Sequence, residues 1–439
     1  MRNQTFKFAF PIVIENIVSV AVSMIYSSIT GAISKSSLAA AGVGNQAMSL
    51  IAALLALLST GAAVLTAREI GRRDYAAASR TAEHTMFLAP VLSAGIMLVL
   101  LAVSSPTMKL LMPGAEESFL KEGSLYYRTM LFSVPGLAIT NSCASLLRAS
   151  GDSRSPLVGA FSSCVVQLLT VRLFTGVMNL GIVGTAYAII CCRYVNAAVL
   201  VLALLKSHRT LAVEPRNILR PQSKYIKQIF SVGLPASFDS IAVQVGYVSV
   251  NSILVSMGTL ASGVVNVLNA VLLLTGITQS IGSCISTTLV GQTSGAGDIA
   301  GARRKMWRIL LWCEGVSMVL CLVTVIIPGR MAAYFTSDPE IYEASRNFMW
   351  VLFPYCVVAV GCNVSEPSCR AGGDVRFTAK SIVCCVLLIR LPLTILLCMV
   401  LKLNYYGIYI ANIFSLAVRF SIAMVRMHTS KWGRSERQL

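Results

Sequence analysis

The chain has 439 residues, of which 56% are hydrophobic and only 12% charged, and its mean hydropathy is +0.73. Soluble domains carry about a quarter charged residues and could not hide so much apolar surface, so a water-soluble fold is excluded. The net charge of +18 does not indicate nucleic acid, because the basic residues lie in connections between apolar runs, where they set membrane orientation.

In chain order, runs of spanning length predict helices over 8–33, 41–67, 85–104, 127–147, 156–178 and 181–205. The second half predicts 230–256, 261–290, 308–328, 346–366, 378–400 and 405–425. The first run follows no basic, cleavable start and is expected to remain as a spanning helix. The fold class expected is therefore an all-α polytopic membrane protein with twelve transmembrane helices.

Basic residues follow the even-numbered runs. Arg68, Arg72, Arg73 and Arg80 follow the second, and Arg148 and Arg154 the fourth. Lys206, Arg209, Arg216, Arg220, Lys224 and Lys227 follow the sixth, and Arg303, Arg304, Lys305 and Arg308 the eighth. Arg370, Arg376 and Lys380 follow the tenth, and Arg426, Lys431, Arg434 and Arg437 the twelfth. The odd-numbered connections are poorer, with Lys35, Lys109, Lys121, Arg128, Arg330, Arg346 and Lys402 spread among acids. Cytoplasmic loops are enriched in Lys and Arg, which puts both termini of a multi-pass cell-membrane protein in the cytoplasm. The same residues offer contacts to anionic lipid headgroups.

The 13 cysteines lie mostly inside the apolar runs, as at Cys191, Cys192, Cys384 and Cys385, and the histidines His84, His208 and His428 are scattered. Neither a metal site, a disulfide framework nor a cofactor is expected. No metalloprotease, nucleophile-elbow or paired intramembrane Asp motif is present, so the chain is read as a non-enzyme.

The halves echo one another. "RASGDSR" at 148–154 recurs as "RAGGDVR" at 370–376, 222 positions on. "FPIVIEN" at 10–16 resembles "LPASFDS" at 234–240, and "REIGRRDYAAASR" at 68–80 parallels "QTSGAGDIAGARR" at 292–304. "GIVGTAYAIICCR" at 181–193 parallels "GIYIANIFSLAVR" at 407–419. Matches in order at nearly constant spacing amount to a repeat. The expected organisation is a six-helix lobe over 1–205, a basic cytoplasmic linker over 206–229, a second lobe over 230–425 and a basic cytoplasmic tail over 426–439. An even number of helices per lobe leaves both in one orientation, so the two bundles are expected to be related by a pseudo-two-fold along the membrane normal.

These motifs resemble the multidrug and toxic compound extrusion (MATE) family of the MOP flippase superfamily. "GVGNQAMSLIAALLALLSTGAAVLTAREIGRRDYAAA" is similar to its second helix and following loop. "LLRASGDSRSP" and "CRAGGDVR" are similar to its Arg-Gly-x-Gly-Asp-x-Arg loops, with Ala149 and Ala371 replacing the first glycine. The resemblance implies a monomeric antiporter exporting small organic, often cationic or amphipathic compounds in exchange for H⁺ or Na⁺, by alternating access of two lobes. The alternative is a flippase for a lipid-linked or polyanionic substrate of the same superfamily, which would require a cationic cavity. The chain departs from the family where relatives carry acids: Tyr26, Val243 and Ala359 occupy those places.

Intramembrane carboxylates are functional candidates by default. Glu15 and Asp239, at repeat-equivalent places after Pro11 and Pro235, are the expected ion-coupling residues. The competing readings are structural pairing with Arg172, Arg193, Arg390 or Arg419, or a place near the headgroups. Glu314 and Glu366 are read as structural or interfacial. In the resembled family, helices one, two, seven and eight line the cavity. That implies substrate-binding roles for Asn16, Tyr26, Asn45, Gln46, Gln244, Asn251, Asn266, Asn269 and Gln279, against the alternative of interhelical hydrogen bonding. Pro11 and Pro235 are read as helix-starting prolines and Pro392 as a kink. The loop residues Arg148, Asp152, Arg154, Arg370, Asp374 and Arg376 have two open readings: a tight capped turn, or a latch whose Arg and Asp pair between lobes.

Overall fold

The computed structural model describes residues 2–33, 35–104, 106, 117–207, 211–336, 338–429 and 432. Lys109, His208, Arg209 and the tail basics Lys431, Arg434 and Arg437 lie outside them. Among the described residues there is no strand. Ten helices are long and apolar enough to cross a membrane, and the number reaches 12 when two bent pairs each count as one span.

In chain order the spans are α1 (Phe8–Thr30), α2 (Gly44–Gly71), α3 (Tyr75–Ala102), α4 (Gly123–Leu131 with Val134–Ala149), α5 (Arg154–Val177) and α6 (Gly181–Lys206). Then follow α7 (Ser223–Leu254), α8 (Thr259–Leu273 with Thr275–Gly295), α9 (Ile299–Ile326), α10 (Pro339–Ala371), α11 (Val375–Val400) and α12 (Asn404–His428). The bends measure 46° in α4 and 50° in α8.

The chain divides into two compact units, Met1–Ser237 and Phe238–Leu439. In the first unit α4 packs on α2, α3 and α6, and α5 packs on α6. In the second, α10 packs in the same way on α8, α9 and α12, and α11 on α12. The repeated sequence plan is therefore a repeated packing plan. Each unit has its own core: Leu58, Tyr126, Met130 and Leu131 are fully buried in the first, and Val264, Leu268, Phe348 and Met349 in the second.

Local signals explain the helix starts. Asp74 caps α3 by accepting from the Ala77 N–H at 3.0 Å, and Asp298 caps α9 by accepting from the Gly301 N–H at 2.7 Å. The preceding residues, Arg73 (φ 61°) and Gly297 (φ 83°), are both left-handed. The second repeated motif is thus a duplicated turn and cap. It starts α3 at Tyr75, ten residues before the run of high hydropathy, because the Asp74 cap and the alanine-rich first turns are helical without being strongly apolar.

Two proline expectations are corrected. Pro11 lies inside a helix over Arg2–Ile33, and Pro235 inside one over Ser223–Ser256. Polar first turns precede each proline, so neither starts its helix. Pro392 sits at the start of a short helical segment, Leu391–Ile395, flanked by π-helical turns at Cys385–Arg390 and Leu396–Val400. Wider turns of this kind absorb the backbone bond that a proline cannot make.

The linker is not free. Ser79 accepts from the Ala212 N–H, Glu83 from the Glu214 N–H and His84 Nε2 from the Gln222 N–H. Leu211 and Val213 are buried beside Leu200 and Leu204. The start of α7 then meets α2 closely: a Cβ on Gly233 would stand 2.1 Å from the Leu57 carbonyl oxygen, and one on Gly61 2.8 Å from that of Ile229. Helices in lipid gain contact chiefly through such small residues.

Candidate functional site

The carboxylates expected to couple ions are both held by arginines, but not by the ones expected. Arg148, in the last turn of α4, bonds to Glu15 of α1. Arg370, in the last turn of α10, donates from Nη1 to Asp239 Oδ2 of α7 at 2.9 Å. Each pair lies within its own unit. Both arginines come from the duplicated loop motif and both acids from the duplicated proline motif, so one charge pair is written twice. Asp239 is buried, also accepts from the Ser240 hydroxyl at 3.2 Å, and feels Glu366 and Arg419 nearby. Glu15 is half-buried, and its Oε2 is sealed without a hydrogen-bond partner.

The second unit adds two bidentate pairs. Arg419 of α12 donates through Nε and Nη2 to both Glu366 oxygens at 2.8 Å. Arg426, on the same helix, donates to both Asp374 oxygens at 2.8 and 2.9 Å. Glu366 and Arg370 are four apart on α10 and so share a face. That face is tied to α7 by one charge and to α12 by the other. Among the described residues, the first unit lacks these ties. Ala144 stands at the repeat position of Glu366, and Arg193, equivalent to Arg419, donates to the Ser133 hydroxyl.

The loops differ in the same direction. Gly151 (φ 95°) and Gly373 (φ 111°) both take the left-handed backbone that favours glycine. Asp152 then caps α5, accepting from the Arg154 and Ser155 N–H groups at 2.9 and 3.1 Å. Asp374 makes no side-chain cap and is committed to Arg426. Arg154 and Arg376 are exposed. Among the remaining intramembrane arginines, Arg172 is exposed and Arg390 lies over the Tyr247 ring. Glu314 Oε2 is sealed and has no partner.

The polar residues named for the cavity separate by environment. Asn16 bonds to its own helix at the Ile12 carbonyl, 2.8 Å away. Tyr26 is buried, with its hydroxyl 3.3 Å from that of Tyr126. Gln279 accepts from Asn363 at 3.2 Å, and Asn269 from the Tyr409 hydroxyl at 3.4 Å. Asn45, Asn251 and Asn266 are exposed, and Gln46 and Gln244 half-buried. Tyr26 thus fills its place with a hydroxyl pair, and Ala359 lies in the second unit's core.

The site residues that sequence reasoning missed are Tyr126, Tyr247, Tyr355, Asn363 and Tyr409. Tyr126, Tyr247, Tyr355 and Asn363 lie on helices outside the repeated motifs, and Tyr409 lies within one but has no tyrosine at the equivalent place in the first half, so only folding marks them.

The comparisons follow the same division. The MatE family model matches residues 11–173 and 235–396, once in each half. Over 99% of its length the chain is 23% identical to the probable multidrug resistance protein NorM of Thermotoga maritima, covering 94% of that protein. Among solved structures it is similar to the Vibrio cholerae MATE transporter VcmN, with a TM-score of 0.88 and 19% identity over 99% of this chain and 97% of that one. It is also similar to a MOP superfamily transporter from Pyrococcus furiosus, with a TM-score of 0.87 and 18% identity over 97% and 95% of the two chains. With its duplicated six-span plan and a family match in both halves, this multi-pass membrane chain belongs to the MatE family of transporters.

Proposed function

We propose that the protein is a secondary active antiporter of the cell membrane. It exports small organic compounds, cationic or amphipathic, in exchange for H⁺ or Na⁺ by alternating access of two lobes, as a single chain with both termini in the cytoplasm. The observation that carries the reading is the pair of repeat-equivalent ion pairs, Glu15–Arg148 and Asp239–Arg370. The similarity to a protein named for multidrug resistance supports the direction and the substrate class.

In this reading Asp239, and secondarily Glu15, is the coupling carboxylate. A buried carboxylate attracts its arginine strongly in low dielectric. Neutralising it with a proton, or screening it with a cation, removes the attraction and releases the end of α10 or α4 from its partner helix. Ion entry is thereby linked to the position of the helices that carry the arginines. The exposed amides Asn45, Asn251, Asn266 and Asn269, with Gln46 and Gln244, supply polar contacts for a substrate on an otherwise apolar wall.

The test is efflux of the cationic dye rhodamine 123 from proteoliposomes under separately imposed H⁺ and Na⁺ gradients. One gradient is expected to drive efflux, and Asp239→Asn is expected to lower the driven rate by at least about tenfold, on the scale of a lost charged partner. Full driven efflux in both Asp239→Asn and Glu15→Gln would sink the coupling assignment. Dye movement under neither gradient would favour flipping of a lipid-linked or polyanionic substrate.

A further inference from the structure

Arg390 lies well inside α11, at the end of the π-helical turn Cys385–Arg390 and two residues before Pro392. Single π-turns within membrane helices recur at functional sites. Its residue is 5% exposed, so it faces protein rather than lipid. Among the described residues no carboxylate and no hydrogen-bond acceptor meets its guanidinium. Asp239 and Glu366, buried acids of the second unit, are bonded to Arg370 and Arg419 instead. What Arg390 does meet is the ring of Tyr247, with the guanidinium carbon 4.6 Å from the centroid.

The guanidinium is nevertheless not walled in. The sealed, unbonded side-chain atoms of the second unit include those of Ser286, Glu314 and Ser317, but no nitrogen of Arg390. Its nitrogens therefore keep a little accessible surface. Tyr355 continues the aromatic wall from Tyr247, Tyr409 lies with its ring centroid 6.1 Å from that of Tyr355, and the exposed Asn269 accepts from the Tyr409 hydroxyl. Tyr355 lies within electrostatic range of Arg390, Tyr247 and Tyr409. Gly246 holds the backbone of α7 close: a Cβ there would stand 2.7 Å from Val386 and 3.9 Å from Arg390 Nη1.

A membrane-buried cation needs an anion, water or a polar cavity to offset its desolvation. A cation–π contact supplies only part of that. The fixed planar fork of arginine matches a carboxylate through two parallel hydrogen bonds, and tyrosine rings offer apolar faces with a polar edge.

We propose that Arg390, Tyr247, Tyr409 and Asn269 form a binding site in the second unit for the carboxylate of an aromatic organic acid. It deepens the export reading by widening the substrate class to anionic or zwitterionic compounds, and its place in transport rests on that reading. Binding itself does not.

The experiment uses the full chain in phosphatidylcholine nanodiscs and two dyes that share one ring skeleton, anionic fluorescein and cationic rhodamine 123. Fluorescence polarisation is expected to show saturable fluorescein binding. Arg390→Gln is expected to lower the ratio of fluorescein to rhodamine 123 affinity by at least about tenfold. Arg390→Lys, which keeps the charge and loses the fork, lowers it by about threefold and carries the test if the glutamine variant does not purify. Because both dyes are read on one sample, partial loss of folded protein cancels from the ratio. Absence of saturable fluorescein binding by the unaltered protein, or an unchanged ratio in the variants, overturns the site. Fluorescein binding abolished by phosphatidylglycerol in the discs also overturns it, by assigning Arg390 to a lipid headgroup. Gradient-driven rhodamine 123 efflux is measured separately, so failure of export and failure of this site are distinct results.

Discussion

At the scale of single residues, charge placement is what folding adds. Glu15, Asp239, Arg148 and Arg370 are each recognisable in the sequence, as intramembrane acids and as duplicated loop basics. Their partnership is less visible, because in the sequence the arginines belong to the duplicated loop motif and the acids to a helix interior. They meet because Arg148 and Arg370, each in the last turn of its helix, come level with acids four residues past a proline in the interior of a neighbouring helix. The one clue in the sequence is that both motifs recur at nearly the same spacing. The bidentate Glu366–Arg419 pair provides a direct measure of such ties. Breaking a buried pair from one side leaves an uncompensated charge and costs about 3–5 kcal/mol, while replacing both partners costs far less. Glu366→Leu and Arg419→Met are therefore each expected to lower the unfolding temperature in detergent strongly. The double variant is expected to recover much of the loss, and strict additivity of the two losses would contradict this account.

At the scale of elements, α7 carries the most consequence. Its first turns lie against α2 through Gly233, while Asp239 and Gly246 face α10 and α11. The boundary between units falls at Ser237, two residues after Pro235. A proline removes one intrahelical hydrogen bond and loosens the helix at that point, so the loosest turn of α7 coincides with the change of unit. Close backbone approach on the first side is the tighter constraint. Gly233→Ala would drive a methyl against the Leu57 carbonyl oxygen, and overpacking of this kind costs about 1–3 kcal/mol. The expected result is a clear drop in thermal stability measured by size-exclusion survival, whereas Gly276→Ala, where a Cβ meets open space, leaves it unchanged. The spans themselves were legible from hydropathy. The Asp152 cap was legible as well, but the caps at Asp74 and Asp298, the π-turns and the position of Pro11 and Pro235 within helices were not, because helix length depends on polar first turns that hydropathy ignores.

At the scale of the whole molecule, the repeat governs topology and its imperfections distinguish the units. Both units centre on one helix, α4 or α10; among the described residues, the second unit ties α10 to its sixth span through Glu366–Arg419 and the loop after α10 to the same span through Asp374–Arg426. The proposed orientation rests on the Lys and Arg distribution. Cysteines introduced by Arg154→Cys and Arg376→Cys in a cysteine-free background are expected to resist a membrane-impermeant maleimide in right-side-out vesicles. Lys402→Cys is expected to react. Reaction of both loop cysteines would reverse the assigned topology.

Membrane class, span number, orientation signal and duplication all follow from properties read along the line of the chain, since lipid thickness and charge bias act on each segment in turn. The meeting of Glu15 with Arg148, and of Asp239 with Arg370, joins residues 133 and 131 positions apart. So does the setting of Arg390 among tyrosines from α7, α10 and α12 depend on helices brought together from separate stretches. Such contacts depend on helix rotation and depth within a packed bundle, and small shifts of either would exchange their partners. Folding therefore chose the partners of charges that the sequence had already placed.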